Sequence, residues 1–338
     1  MLIVDDSAFV RARLARAWQE AGWETAEAAD GARALAALHS QRPDLITLDV
    51  AMPGPDGIET ARAIRQAGFR GPVLMLSALT ARGAHITLEA LEAGADDFVL
   101  KPQDPREVAE AVGVLEARYR ALTAARRPEA VPEGTPGGRT VRTRGFRAVT
   151  VASSTGGPSA LARLLPGLPP PPVPLVLVQH MPPGFTAALA ERLTRLSGWP
   201  VEEAPAAPGA VCWQPGRAVL AQGGLHLHLN RHRAWAQPGP RLHGVAPAAD
   251  ITVGEAVRAW APDLAVVILT GMGEDGARAA ANARRLGCTV VVESAATATV
   301  WGMPQAVVRR GAADAVWPLP EIHRWLGAVF AAAGPIHA

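Results

Sequence analysis

From its first residue the chain alternates short apolar runs with stretches of helical period. Strand-like runs stand near residues 2–5, 23–28, 44–49, 72–76 and 96–100, each followed by an amphipathic segment. Five consecutive βα units admit few folds. Parallel neighbours need a crossover, and helical crossovers cover both faces of the sheet they connect. The expected product is a doubly wound parallel sheet, with reactive side chains gathered where the strands end at their carboxyl edge. Asp5, Asp6, Asp49, Ser77 and Lys101 all fall at such ends.

The chemistry of these five is coherent. Three carboxylates form a hard oxygen site suited to Mg²⁺. Asp49 can then accept a phosphoryl group, with a compact ammonium to neutralise the transferring charge and the Ser77 hydroxyl to bond it. Of the 33 basic residues 32 are Arg, and the single Lys is Lys101. Taken alone, an Asp pair after a strand is more often a helix cap and Lys-Pro a surface turn. Five matched residues at ordered strand ends outweigh that reading.

The segments Val4-Asp5-Asp6-Ser7, Leu48-Asp49 through Gly57, Leu76-Ser77-Ala78 and Lys101-Pro102 resemble response-regulator receivers over residues 1–120. The resemblance implies a flavodoxin-like domain in which Asp5, Asp6 and Asp49 bind Mg²⁺. It also implies that Asp49 is the phosphoacceptor and that Ser77, Phe98 and Lys101 form the switch. One departure is a first strand that begins almost at Met1.

A length of 338 residues suggests two domains. Residues 121–145 lose apolar periodicity and gain Pro and Gly, the composition of a linker. A net charge of +2 with scattered arginines gives no stripe for a phosphate backbone, so nucleic acid is not expected as a partner. Cys212 and Cys288 suggest neither a disulfide framework nor a zinc site. No stretch approaches about 18 apolar residues, so membrane insertion is not expected and the chain reads as cytoplasmic.

In the second half, residues 147–152, 174–179 and 264–269 read as strands entering polar or Gly-rich turns, which indicates another parallel sheet. Their ends bring a hydroxyl at Ser153-Ser154-Thr155-Gly156-Gly157, an imidazole at His180 and a carboxylate within Thr270-Gly271-Met272-Gly273-Glu274-Asp275. That trio suits acyl transfer: His takes the Ser proton, Asp holds the imidazole and turn amides stabilise the oxyanion. The G-x-S-x-G elbow of α/β-hydrolases is missing, which points to another serine-hydrolase lineage.

Ser154 through Pro158, Gln179-His180-Met181-Pro182, Gly271 through Ala277 and Trp301-Gly302-Met303-Pro304 resemble the catalytic domain of CheB-type chemotaxis protein-glutamate methylesterases. The match runs from residue 146 to about 330, in a domain placed at 146–334. The resemblance implies a Rossmann-like α/β hydrolytic domain with Ser154 as nucleophile, His180 as general base and Asp275 as orienting acid. It gives the Met272 amide to the oxyanion hole and Thr155 to the support of His180, with no cofactor for the esterase. The implied function is phosphorylation-activated hydrolysis of glutamate γ-methyl esters, and deamidation of specific glutamines, on chemoreceptor cytoplasmic domains. A chemotaxis histidine kinase would be the phosphodonor. Ala152-Ser153, Gln222 and the 247–252 segment depart from the family pattern.

Other readings compete. A Gly-rich strand-to-helix turn more often cradles phosphate, yet His180 follows the next strand where a ribose-binding acid would stand. His226 and His228 alternate on one strand without a third ligand and read as solvent or edge histidines. Trp199, Trp213, Trp260 and Trp317 read as core and rim packing. A functional alternative is a phosphorylation-switched binding protein with a vestigial hydrolase domain in a non-chemotactic pathway.

Overall fold

The structure, a computed structural model, describes residues 1–54, 56–102, 104–125, 134 and 140–332. The chain divides into two compact units, Met1–Arg127 and Pro128–Ala338.

The first unit is the expected βα series: β1 (Leu2–Val4), α1 (Ala8–Glu20), β2 (Ala26–Ala28), α2 (Gly31–Gln41), β3 (Ile46–Asp49), α3 (Gly57–Gln66), β4 (Val73–Ser77), α4 (Ala81–Glu92), β5 (Asp97–Leu100) and α5 (Pro105–Ala125). The strands form one parallel sheet in the order β2-β1-β3-β4-β5. β1, β3 and β4 are buried at every position, which is why they read as continuous apolar runs. Side-chain caps at Ser7, Asp30, Asp56 and Thr80 start α1 to α4, each contributing about 1 kcal/mol. Gly57 opens α3 hard against β3: a β-carbon there would lie 2.5 Å from the Asp49 carbonyl oxygen. Trp18, fully buried on α1, stacks edge-on with Trp23, which does the same with Tyr119 and so fastens α5.

The linker expectation needs correction at both ends. Residues 121–125 continue α5, since Ala and Leu favour helix and Leu122 is buried. Arg142 is fastened to the second unit, its Nη2 donating to the Pro262 carbonyl at 2.5 Å and its own carbonyl accepting Trp325 Nε1 at 2.8 Å. Residues 126–133 and 135–139 lie outside the described residues.

The second unit contains β6 (Ala148–Ser153), α6 (Gly157–Leu164), β7 (Leu175–Gln179), α7 (Phe185–Ser197), β8 (Val201–Glu203), β9 (Val211–Cys212), β10 (Ala218–Leu220), β11 (His226–Leu229), β12 (Arg233–Gln237), α8 (Ala249–Trp260), β13 (Leu264–Ile268), α9 (Ala277–Arg285), β14 (Thr289–Glu293), α10 (Gly302–Arg309), β15 (Ala315–Trp317) and α11 (Leu319–Ala332). Seven strands make a parallel sheet in the order β15-β14-β13-β6-β7-β10-β8. From β6 the chain winds outward through β7, and it later returns to build β13, β14 and β15 on the other flank. The winding therefore reverses between β6 and β13, the place where an open α/β sheet leaves a crevice beyond its strand ends. A small antiparallel sheet, β11-β12-β9, is an addition to the expected architecture.

His226, read as a solvent or edge histidine, stands on edge strand β11 but is not solvent-exposed: it is 1% exposed, its Nε2 beside the Pro240 carbonyl at 2.9 Å. His228 Nδ1 faces Glu255 Oε1 at 2.8 Å. Trp199 and Trp260 are buried, and Trp213 packs edge-on against Trp260.

Candidate active site

At the carboxyl edge of the first sheet, Asp5, Asp6 and Asp49 each offer a carboxylate oxygen within 4.8 Å of the others. Asp5 follows β1 and Asp49 ends β3, the two strands between which that sheet reverses its winding. Lys101 reaches in from the end of β5, its Nζ 2.6 Å from Asp5 Oδ2 and 2.9 Å from Asp49 Oδ2. Burial raises the pKa of Asp49, opposed by Lys101 and reinforced by Asp5. For Lys101 burial works downward, but Asp5 and Asp49 outweigh it and the ammonium is held above its ordinary value. Three carboxylates against one ammonium leave a surplus of negative charge on hard oxygen donors, a set that fits Mg²⁺. Ser77 is buried at the end of β4 and its hydroxyl accepts from Thr87 Oγ1 at 2.7 Å; Phe98 is buried on β5.

In the second unit the structure brings three sequence-designated residues to the crevice. Ser154 follows β6, and its N–H donates to the Thr270 carbonyl at 3.0 Å, crossing to the strand end next door. The turn closes when the Gly157 N–H donates to the Ser154 carbonyl at 2.8 Å. Gly156 sits within that turn at φ 76°, a left-handed conformation, and a side chain there would collide with Thr299. His180 follows β7 and donates its N–H to the Ser153 carbonyl at 3.1 Å. Asp275 comes from the turn between β13 and α9.

Asp275 is nearly saturated. Its Oδ1 accepts the N–H groups of Asp250 and Gly276, both at 2.9 Å, while Oδ2 accepts Ala249 N–H at 2.6 Å and faces His180 Nε2 at 2.8 Å. Four donors on one carboxylate match its lone-pair sites. Burial works to raise its pKa, but His180 and the amides of Asp250 and Ala249 outweigh burial and hold the group below its ordinary value. An ionised Asp275 keeps the proton on Nε2, which leaves the lone pair on Nδ1 as the basic site of His180.

The 270–273 turn approaches Ser154 only because residue 271 is glycine: a β-carbon there would stand 2.9 Å from Ser154 Cβ. The Gly271 carbonyl accepts the N–H groups of Gly302 and Met303 at 3.0 and 2.8 Å. In the same trans peptide the Met272 N–H must point the opposite way, and among the described residues no protein acceptor takes it. Thr155 is buried beneath, its carbonyl accepting Thr270 Oγ1 at 2.8 Å.

Several supports were given no role from sequence. Gln179 Nε2 donates to the carbonyls of both Ser154 and His180, at 2.9 and 3.1 Å, while Oε1 accepts Ser153 Oγ at 2.6 Å. A polar residue closing a buried apolar strand was the available signal. Glu293, fully buried at the end of β14, accepts the Thr270 N–H at 2.8 Å, and burial raises its pKa against that bond. Asp250 accepts Ala279 N–H at 2.8 Å and pairs with His243 Nε2 at 3.1 Å. Gln222 is half-buried, and its Oε1 has no hydrogen-bond partner among the described residues.

Comparison with known proteins matches residues 149–326 to the CheB methylesterase family and residues 1–113 to the response regulator receiver domain. A protein-glutamate methylesterase/protein-glutamine glutaminase of Caulobacter vibrioides is 38% identical, the alignment covering 95% of this chain and 96% of that protein. One from Symbiobacterium thermophilum is 39% identical over 95% and 94%. Among solved structures, the Thermotoga maritima CheB methylesterase catalytic domain superposes with a TM-score of 0.51 at 38% identity, covering 54% of this chain and 97% of that one.

Proposed function

The chain belongs to the CheB methylesterase family, with a response-regulator receiver ahead of the catalytic domain, and from that premise we propose that Ser154, His180 and Asp275 carry its protein-glutamate methylesterase and protein-glutamine glutaminase chemistry. His180 Nδ1 takes the Ser154 proton as Oγ attacks the γ-carbonyl of a glutamyl methyl ester. The oxyanion that forms is met by the Met272 N–H. Protonated His180 then gives its proton to the departing methoxide, which leaves as methanol, and the acyl group stays on Ser154. Water repeats the sequence and releases the glutamate. With a glutamine substrate the leaving group is ammonia.

The observation that carries this reading is the fourfold hydrogen bonding of Asp275, which holds one imidazole tautomer in place. It also speaks against a vestigial hydrolase that serves for binding alone, since such a protein has no need of a buried, ionised acid aimed at His180.

In the receiver, Asp5, Asp6 and Asp49 would hold Mg²⁺, whose chemistry there is to neutralise the oxygens of an incoming phosphoryl group. Asp49 is the acceptor, Lys101 balances the product charge, and Ser77 with Phe98 relays the change. The phosphodonor is a chemotaxis histidine kinase, the substrates are chemoreceptor cytoplasmic domains, and the reaction belongs in the cytoplasm. No helix among the described residues is long and apolar enough to cross a membrane.

The test is methanol release from methylated receptor membranes, with and without a small-molecule phosphodonor. Release that depends on Ser154 and rises with phosphodonor is expected; release unchanged in Ser154→Ala sinks the assignment.

A further inference from the structure

Beside the turn that carries Met272 lies a cavity of about 300 Å³, lined by Gly273, Glu274, Gly302, Gln305, Arg309 and Arg310 among others. The same turn stands between it and Ser154. Gly302 presses on the turn so closely that a β-carbon on it would lie 2.7 Å from the Gly271 carbonyl oxygen, and Gly271 itself abuts Ser154. A group seated in the cavity would therefore lie across that one turn from Ser154.

The charges of this wall do not cancel. Glu274 Oε2 pairs with Arg310 Nη2 at 3.1 Å. Arg309 lines the same cavity, is exposed, and among the described residues has no carboxylate partner. One guanidinium is left over, and its planar fork matches a carboxylate in two parallel hydrogen bonds. The scissile group gives an enzyme little to read electrostatically, because a methyl ester and an amide are both neutral. A charge-based choice among glutamyl sites must come from neighbouring side chains.

We propose that this cavity is a subsite for a carboxylate borne by the substrate protein next to the scissile glutamyl group, received by Arg309. The proposal rests on the esterase reading above and adds a specificity-determining residue to it. A cation in the last turn of α10 also complements the helix dipole, so the test must read substrate choice and not stability.

The full chain, activated with a phosphodonor, would be given two methylated receptor fragments that differ only at one residue flanking the ester, Asp in one and Asn in the other, with each flank tried in turn. At one flank the Asp fragment should show a kcat/KM about fivefold higher, carried by KM, the size expected for one exposed ion pair. Arg309→Gln should bring the ratio to unity, and Arg309→Glu should turn it in favour of the Asn fragment. The ratio is internal to each variant, so a partly unfolded preparation does not alter it. No preference at either flank in the wild type, or a preference that survives Arg309→Gln, overturns the subsite. If the wild type hydrolyses neither fragment, the esterase reading beneath it falls instead.

Discussion

The Ser153 hydroxyl, wholly buried, donates to the Gln179 carboxamide oxygen at 2.6 Å. It is therefore engaged in holding the sheet edge together, which leaves the half-buried Ser154 beside it as the proposed nucleophile. Ser154→Ala should abolish methanol release while phosphorylation of Asp49 proceeds normally, as followed by phosphodonor consumption. Ser153→Ala should keep the chemistry and lose stability, about 1–3 kcal/mol for the acceptor left unsatisfied, read from urea unfolding. A dead Ser153→Ala alongside an active Ser154→Ala would reverse the assignment.

Gln179→Leu should do more than either. Both the Ser154 and the His180 carbonyls lose their shared donor, so the two strand ends lose a common reference. The expected signature is a drop in kcat larger than any change in KM, together with destabilisation of the second unit. Normal kcat with lowered stability would show that Gln179 only stabilises the fold.

Asp275 has a folded pKa below its ordinary 3.8, and this fixes the sign of its pH dependence. A depressed carboxylate contributes stability that is complete above the unfolded value and is lost as pH falls through the lower folded one. Asp275→Asn should thus be destabilised relative to wild type at neutral pH, with the gap closing below about pH 4. Activity should fall at every pH, because the amide can stabilise the wrong His180 tautomer. Unfolding curves of both proteins across the acid range would decide it; a pH-independent gap would mean that folding does not lower the Asp275 pKa.

In the receiver the sign is opposite. Asp49 is raised chiefly by burial, so its stabilising contribution belongs to the protonated form, is complete below the unfolded value and is lost as pH rises through the folded one. Asp49→Asn should therefore raise the stability of the first unit at neutral pH, while ending the response to phosphodonor. Lys101→Arg should keep the charge yet impair phosphorylation-dependent activation, since a guanidinium fork cannot stand where one ammonium meets both Asp5 and Asp49. Near-normal activation in that variant would remove the steric argument.

Much of this was legible in the sequence because the chemistry sits at ends of apolar runs. Asp5, Asp49 and Lys101 could be placed by strand counting alone, and Ser154, His180 and Asp275 by the turns that follow three long strands. What escaped was short or tertiary. β8, β9 and β10 span two or three residues each, too few for a period to declare itself. Gln179 and Glu293 look like strand-end polar residues until the fold sets them under neighbouring strands. The burial of the edge residue His226 was not legible because an alternating strand pattern names a face without saying what covers it; here the 239–240 segment does.

The ammonium held between Asp5 and Asp49 belongs to the lone lysine of the chain. Feeding isotopically labelled lysine to the expressing cells would thus place one side-chain nitrogen resonance in the entire spectrum, already assigned and situated beside the proposed phosphoacceptor. The two carboxylates that raise its pKa also keep its protons in place and slow their exchange with water. Titration of metal, arrival of phosphate and its later hydrolysis would each be read from that resonance, with no foreign probe attached.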